Sequence, residues 1–261
     1  MKATCSNGHD FEYEESDIKS HFVMCGDSTD LGAVGDLMDG VKMDALYTDP
    51  PYGMDVDTDY ANIHTSRSTK ALGGGKQRNH TNYEKVIADD KDFDASLFEE
   101  LDIKEQFLWG ADYYVNTIPN YGRGGSWIVW DKKPKGDMNK AIGNQFELCW
   151  SKVKHKRLVF DYTYSGAYGM KPNDGNRVHP TQKPVDLIAQ MFEQWNLGDN
   201  ILDLFLGSGS TLIACEQTDR TCYGMELDEK YLDVIRKRWA KYVYPDRWEK
   251  EWEILTPAIA K

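Results

Sequence analysis

Short apolar runs bounded by polar or glycine-rich turns recur through the first two thirds of the chain, at 22–25, 45–48, 106–109, 126–130, 146–150 and 158–164. Runs of that length between turn residues predict buried strands. The pattern then changes period. Residues 184–195 predict a helix with Pro184 in its first turn, where a missing N–H leaves no bond unmade. A strand at 201–204, a helix at 210–217, a strand at 222–225 and a helix at 228–242 follow. This alternation is the unit of a parallel sheet, so the expectation is one α/β domain with insertions. Two stretches fall outside it. Residues 54–92 are polar and rich in Gly, Asn, Asp and Ser around Gly73-Gly74-Gly75, and so long an insertion is usually functional or disordered; a mobile lid is expected. After Pro245, Trp248 and Trp252 stand four apart, the spacing of a helix that packs back on the body.

Composition narrows the class. The 261 residues are 40% hydrophobic and 12% aromatic, and no apolar run approaches the roughly 20 residues of a membrane helix. No membrane association is expected. The polar, acidic start lacks a secretory signal, which gives a cytoplasmic expectation. Cys5, Cys25, Cys149, Cys215 and Cys222 are an odd, scattered set, read as reduced thiols. Cys5, His9, His21 and Cys25 have spacings that would allow four zinc ligands, but Cys25 falls in a predicted strand, and no metal is expected. A net charge of −12 argues against a nucleic-acid partner, which needs local positive charge. The distribution softens this: residues 123–157 hold Lys132, Lys133, Lys135, Lys140, Lys152, Lys154, Lys156 and Arg157 against Asp131, Asp137 and Glu147. A basic face on an acidic body and a solvated hairpin surface both fit.

Two motifs carry chemistry. In 201–211 an apolar strand runs into Gly207-Ser208-Gly209 and then a helix near Ser210. Glycines let backbone approach a ligand, and a helix N-terminus offers unpaired N–H groups. The spacing is neither that of a dinucleotide site nor that of a P-loop, so a nucleoside is the natural guest. Glu226 ends the next strand, about 20 residues on, where an acid reaches ribose hydroxyls in nucleotide folds. The second motif is Asp49-Pro50-Pro51-Tyr52 at the end of a strand. The prolines stiffen the turn, so the Asp49 carboxylate and nearby carbonyls can present several acceptors to one amino group.

Asp49-Pro50-Pro51-Tyr52, followed much later by Phe205-Leu206-Gly207-Ser208-Gly209, resembles the paired motifs of amino-methylating DNA methyltransferases. His179-Pro180-Thr181-Gln182-Lys183-Pro184 precedes the glycine-rich strand, as in the β-type, circularly permuted N6-adenine/N4-cytosine members. The resemblance spans about 22–242. It implies a Rossmann-like, S-adenosylmethionine-dependent methyltransferase fold: a mixed seven-stranded sheet flanked by helices, circularly permuted. It also implies a single domain over 1–261, with the mobile insertion at 54–92 and a small target-recognition region at about 151–178. By the same resemblance Asp49, Pro50, Pro51 and Tyr52 would be catalytic, Tyr52 stacking on a flipped base. Asp203, Phe205, Gly207, Ser208, Gly209 and Ser210 would line the S-adenosylmethionine pocket, with Glu226 on the ribose. His179, Thr181 and Lys183 would face its methionine end, and Asp27 its adenine, although Gly26-Asp27 is equally an ordinary turn and cap. Lys132, Lys133, Lys135, Lys154, Lys156 and Arg157 would contact DNA. Asp rather than Ser at the first motif position favours adenine N6 over cytosine N4. A catalytically silent nucleic-acid-binding module on the same fold is the alternative from another class. DNA is the expected partner, and a homodimer is left open.

Overall fold

The computed structural model describes residues 2–4, 10–12, 21–54, 87–132, 144–163, 178–179 and 181–256. Strands β1 (Lys2–Thr4) and β2 (Asp10–Glu12) form a separate antiparallel ribbon. The main sheet is built from β3 (Phe22–Cys25), β4 (Ala45–Thr48), β5 (Glu105–Trp109), β6 (Ser126–Asp131), β7 (Phe146–Ser151), β8 (Val159–Asp161), β9 (Asn200–Asp203) and β10 (Thr221–Glu226). Their order is β3-β10-β9-β4-β5-β7-β6-β8, one strand for each of the eight apolar runs, where the resemblance implied seven. The first five run parallel, β7 runs against its two neighbours, and β8 is parallel to β6.

Both faces of the sheet are covered, as a parallel sheet requires. On β4, Ala45 and Tyr47 join one apolar cluster and Leu46 the other, the two-residue alternation of a strand buried on both sides. One face carries α2 (Val185–Trp195), α3 (Ser210–Gln217) and α4 (Glu229–Val243). Val185, Leu187, Ile188, Met191 and Phe192 of α2 point inward at helical spacing, and Asn196 ends the helix in the left-handed region. α1 (Leu31–Met38) and the 3₁₀ turn Ala95–Glu99 cover the other face. α1 escaped the sequence reading because Gly32 and Gly35 weaken its propensity; Asp30 compensates by capping the N–H groups of Gly32 and Ala33. The tail forms α5 (Trp248–Leu255), with Arg236 and Lys237 of α4 lying over the Trp252 ring at 5.0 and 4.3 Å.

Strand direction gives each connection an address. Phe107 lies opposite Ser151 and Trp109 opposite Cys149, so β7 begins where β4, β5 and β9 finish and ends where they start. Residues 152–158 therefore leave at the starting end, where His155 Nε2 meets Glu105 Oε2 at 2.9 Å. The flanks of 133–143 and of 164–177 lie at the finishing end, since Asp131 faces Phe146 and β8 follows β6 in register. The proposed lid, apart from residue 54 and residues 87–92, lies outside the described residues, as do 164–177 of the recognition region and Cys5 and His9. His21 uses both ring nitrogens inside the fold: Nδ1 accepts from the Cys222 N–H at 3.0 Å and Nε2 meets Glu216 Oε2 at 2.9 Å.

Candidate functional site

The two motifs are far apart in sequence and adjacent in the sheet. β4 pairs directly with β9, and Thr48 Oγ1 donates to Asp203 Oδ1 at 2.9 Å across that junction. On one side of the pair the sheet continues to β10 and on the other to β5, which makes the crevice beyond their carboxyl ends the switch point where such sheets bind ligands. A cavity of about 660 Å³ opens there. Asp49, Pro50, Pro51 and Tyr52 line it, and so do Asp27, His179, Thr181 and Lys183. Asp203, Phe205, Gly207, Ser208, Ser210 and Glu226 complete the predicted set; Gly209 alone lies behind the loop, its φ of 83° starting α3 against Ile235.

At the reaction motif, the Asp49 carboxylate is held at both oxygens. Oδ1 accepts from the Tyr52 hydroxyl, and Oδ2 accepts from Lys183 Nζ at 2.5 Å. Burial pushes the Asp49 carboxyl up, and the Lys183 charge opposes that push. Lys183 also meets Glu147 Oε2 at 3.0 Å, and Lys132 bonds Glu147 Oε1. Burial would raise the Glu147 carboxyl, but the two lysines outweigh it and hold it at about 2. The Tyr52 ring stacks on Tyr113, with centroids 5.1 Å apart and planes 7° apart. Its backbone is tied down by Asp89, whose Oδ1 accepts from the N–H groups of Tyr52 and Met54 at 3.1 and 3.3 Å.

On the other side, Glu226 ties β10 to the glycine loop. Its Oε2 accepts from the Gly207 N–H at 2.7 Å and its Oε1 from the Asp228 N–H at 3.0 Å. Burial nevertheless raises its carboxyl to about 7, and burial raises Asp203 to about 6. Phe205 meets Phe93 edge to face at 5.4 Å, fixing an aromatic wall. His179 lies beside Gly207 with its ring against Tyr231 at 4.8 Å, and its Nδ1 accepts from the Thr181 N–H at 3.3 Å. Asp27 Oδ1 accepts from the Thr29 N–H and hydroxyl at 2.9 and 2.7 Å, bonds that lower its carboxyl and form the turn leading to α1.

Several partners were not legible beforehand. Arg238 of α4 reaches back to the loop, donating to the Ser208 carbonyl at 2.5 Å and its hydroxyl at 2.8 Å. Glu147 had counted only as an acid diluting a basic stretch, and nothing marked it as a partner of Lys183. The basic residues divide between the two ends of the sheet. Lys154, Lys156 and Arg157 are exposed but leave at the end of the sheet opposite the cavity, because β7 runs antiparallel. Lys132 is at the cavity end, engaged with Glu147 and 4.6 Å from the centre of the Trp130 ring. Lys133 and Lys135 lie outside the described residues.

Comparison with known proteins fits this geometry. Residues 122–237 match the family described as DNA methylase. Type II methyltransferase M.HinfI of Haemophilus influenzae is 28% identical over 157 residues, 54% of this chain and 41% of that protein. Type II methyltransferase M.HpaI of Haemophilus parainfluenzae is 34% identical over 67 residues, 25% of this chain and 21% of that protein. The chain thus spans less than half the length of these curated relatives. The solved structure of PvuII DNA methyltransferase (cytosine-N4-specific) superposes with a TM-score of 0.51 at 13% identity, covering 93% of this chain and 94% of that one, a likeness of fold. Residues 122–237 thus match the DNA methylase family in sequence, and the motifs that resemble that family extend from β3 to α4.

Proposed function

We propose that this chain transfers a methyl group from S-adenosylmethionine to an exocyclic amino group of a base in DNA, adenine N6 in the first instance. The observation that carries the reading is one cavity with the Asp49 turn on one wall and the Gly207 loop with Glu226 on the other. The residues fit the cofactor. The loop allows close backbone approach, Phe205 offers an aromatic face and Glu226 an acceptor for ribose hydroxyls. The described lining holds ten carboxylates (five of them Asp27, Asp49, Asp89, Asp203 and Glu226) against Lys91 and Lys183, a field that favours a cationic guest such as a sulfonium. When bound, that cofactor supplies an electrophilic methyl group.

The protein's own part is to make an amino group nucleophilic. An exocyclic amine is a weak nucleophile because its lone pair is delocalised into the ring. With its two hydrogens accepted by the Asp49 carboxylate and the Pro50 carbonyl, the nitrogen becomes tetrahedral and its lone pair is released. Alignment with the electrophile supplies much of the remaining rate. The base reaches the cavity by flipping out of the duplex. The test is mass spectrometry of nucleosides from unmethylated DNA incubated with the protein and cofactor. N6-methyl-2′-deoxyadenosine supports the full reading, N4-methyl-2′-deoxycytidine supports the chemistry with the other base, and the absence of both overturns it.

Glu226 makes cofactor binding depend on pH. Ribose hydroxyls donate to its ionised form, so binding pulls its carboxyl down from about 7 and releases a proton. Affinity for S-adenosylhomocysteine should rise by up to about tenfold per unit between pH 5.5 and 7 and level off above. In the free protein the sign is opposite: with the folded value raised, this group's contribution to stability is complete below its unfolded value and is lost as pH rises through 7. Calorimetry in buffers of different ionisation enthalpy would detect the proton, and Glu226→Gln should remove most of it.

A further inference from the structure

We propose that Lys183, anchored by Glu147, is a positioning residue for Asp49, holding one carboxylate oxygen so that the other faces the target amino group. The inference rests on the methyl-transfer reading above and assigns Lys183 a place different from the one the resemblance implies. A lysine that served the cofactor's carboxylate would keep its ammonium for the ligand. Here it is already held between two protein carboxylates, Asp49 Oδ2 at 2.5 Å and Glu147 Oε2 at 3.0 Å. The Trp109 ring lies 5.1 Å from Nζ on a further side. Lys183 is only 7% exposed, so this hub sits where charge must be balanced. Balance is reached: Asp49 and Glu147 face Lys183 and Lys132, two charges of each sign in one chain of ion pairs.

The three anchors come from three parts of the fold, the turn after β4, strand β7 and the segment before α2, so the carboxylate plane is fixed by tertiary structure. With Oδ2 committed, Oδ1 is the oxygen left to meet substrate. The Tyr52 hydroxyl donates to it in this structure, occupying the place of a substrate N–H. The other titratable groups acting on Asp49 are Asp203 at the end of β9, Tyr47 below it, Tyr114 after β5 and Cys149 on β7. Lys183 is the one group among these that favours the ionised carboxylate by its charge. Without it, only the hydrogen bond from Tyr52 opposes burial, and Asp49 holds its proton to higher pH.

The test uses the full chain with Lys183→Met, Lys183→Arg and Glu147→Gln. Three quantities are read: single-turnover methyl transfer to unmethylated duplex against pH, the titration of Asp49 by carboxyl ¹³C resonance, and Kd for S-adenosylhomocysteine and for 5′-methylthioadenosine, which lacks the amino-acid end. Lys183→Met should slow transfer about 10²-fold and raise the Asp49 titration by about one unit, with S-adenosylhomocysteine Kd within about twofold. Arginine should restore part of the rate. Glu147→Gln, the milder change, should slow transfer about tenfold and carries the test where Lys183→Met fails to fold. An unmoved Asp49 titration overturns the proposal. So does a weakening confined to S-adenosylhomocysteine, with 5′-methylthioadenosine unaffected, since that would put Lys183 on the cofactor carboxylate. A wild-type chain that methylates no duplex while the Asp49 titration still shifts would sink the functional reading and leave the positioning role standing.

Discussion

Asp49→Asn should lower single-turnover methyl transfer by about 10³-fold while leaving S-adenosylhomocysteine Kd nearly unchanged. The substitution keeps the shape and changes which atom faces the substrate. Lys183 donates at 2.5 Å and demands an oxygen, so the amide would turn its carbonyl to Lys183 and its NH₂ into the cavity. A donor would then meet the amino hydrogens where an acceptor is required. Asp49 makes no hydrogen bond to the glycine loop, so cofactor affinity has no direct reason to fall. Calorimetry beside rapid-quench transfer assays separates the two quantities. Transfer within about tenfold of wild type would remove Asp49 from the chemistry.

Gly110→Ala should be the most damaging one-carbon change near the site. Gly110 has φ of +63°, a region where a β-carbon is strained, and a β-carbon built there would overlap the Tyr52 ring. Strain and displacement together should cost about 3 kcal/mol, or roughly 10 °C in Tm for a chain of this size. The ring would be driven from Tyr113 and its hydroxyl from Asp49, so the KM for DNA should rise as well. The double variant Gly110→Ala/Tyr52→Ala tests the cause: with the ring gone only the backbone term remains, and the combined loss should fall well short of the sum. Simple additivity, measured by thermal melting of the four proteins, would disprove the steric account.

Much of the fold was readable because its signal is local. The core of β4 is four buried residues between polar turns, and α3 begins where Gly209 and Ser210 predict. The Asp49 turn, the Gly207 loop and Glu226 were found for the same reason: each joins a strand end to residues of special backbone or charge. What escaped depends on pairing across the sheet. Whether Lys154, Lys156 and Arg157 face the cavity is decided by the direction of β7, and an apolar run reads the same in either direction. Glu147 and Lys183 lie on separate elements and become partners only when β7 sits beside β5. Arg238 falls on an ordinary amphipathic helix, and its reach to Ser208 is a property of how α4 packs. For Tyr52 only the stacking ring was anticipated, and its hydroxyl is bonded to Asp49.

The Thr48–Asp203 hydrogen bond joins residues 155 positions apart, and β4 lies between β5 and β9. During synthesis the strand that leads to Asp49 has no partner on one edge until β9 has followed it from the ribosome. Closing so long a loop is slow compared with forming a local hairpin. A nascent chain that has reached β5 therefore holds Asp49 without the wall opposite it, and the cavity between them forms only once β9 and its glycine loop have followed.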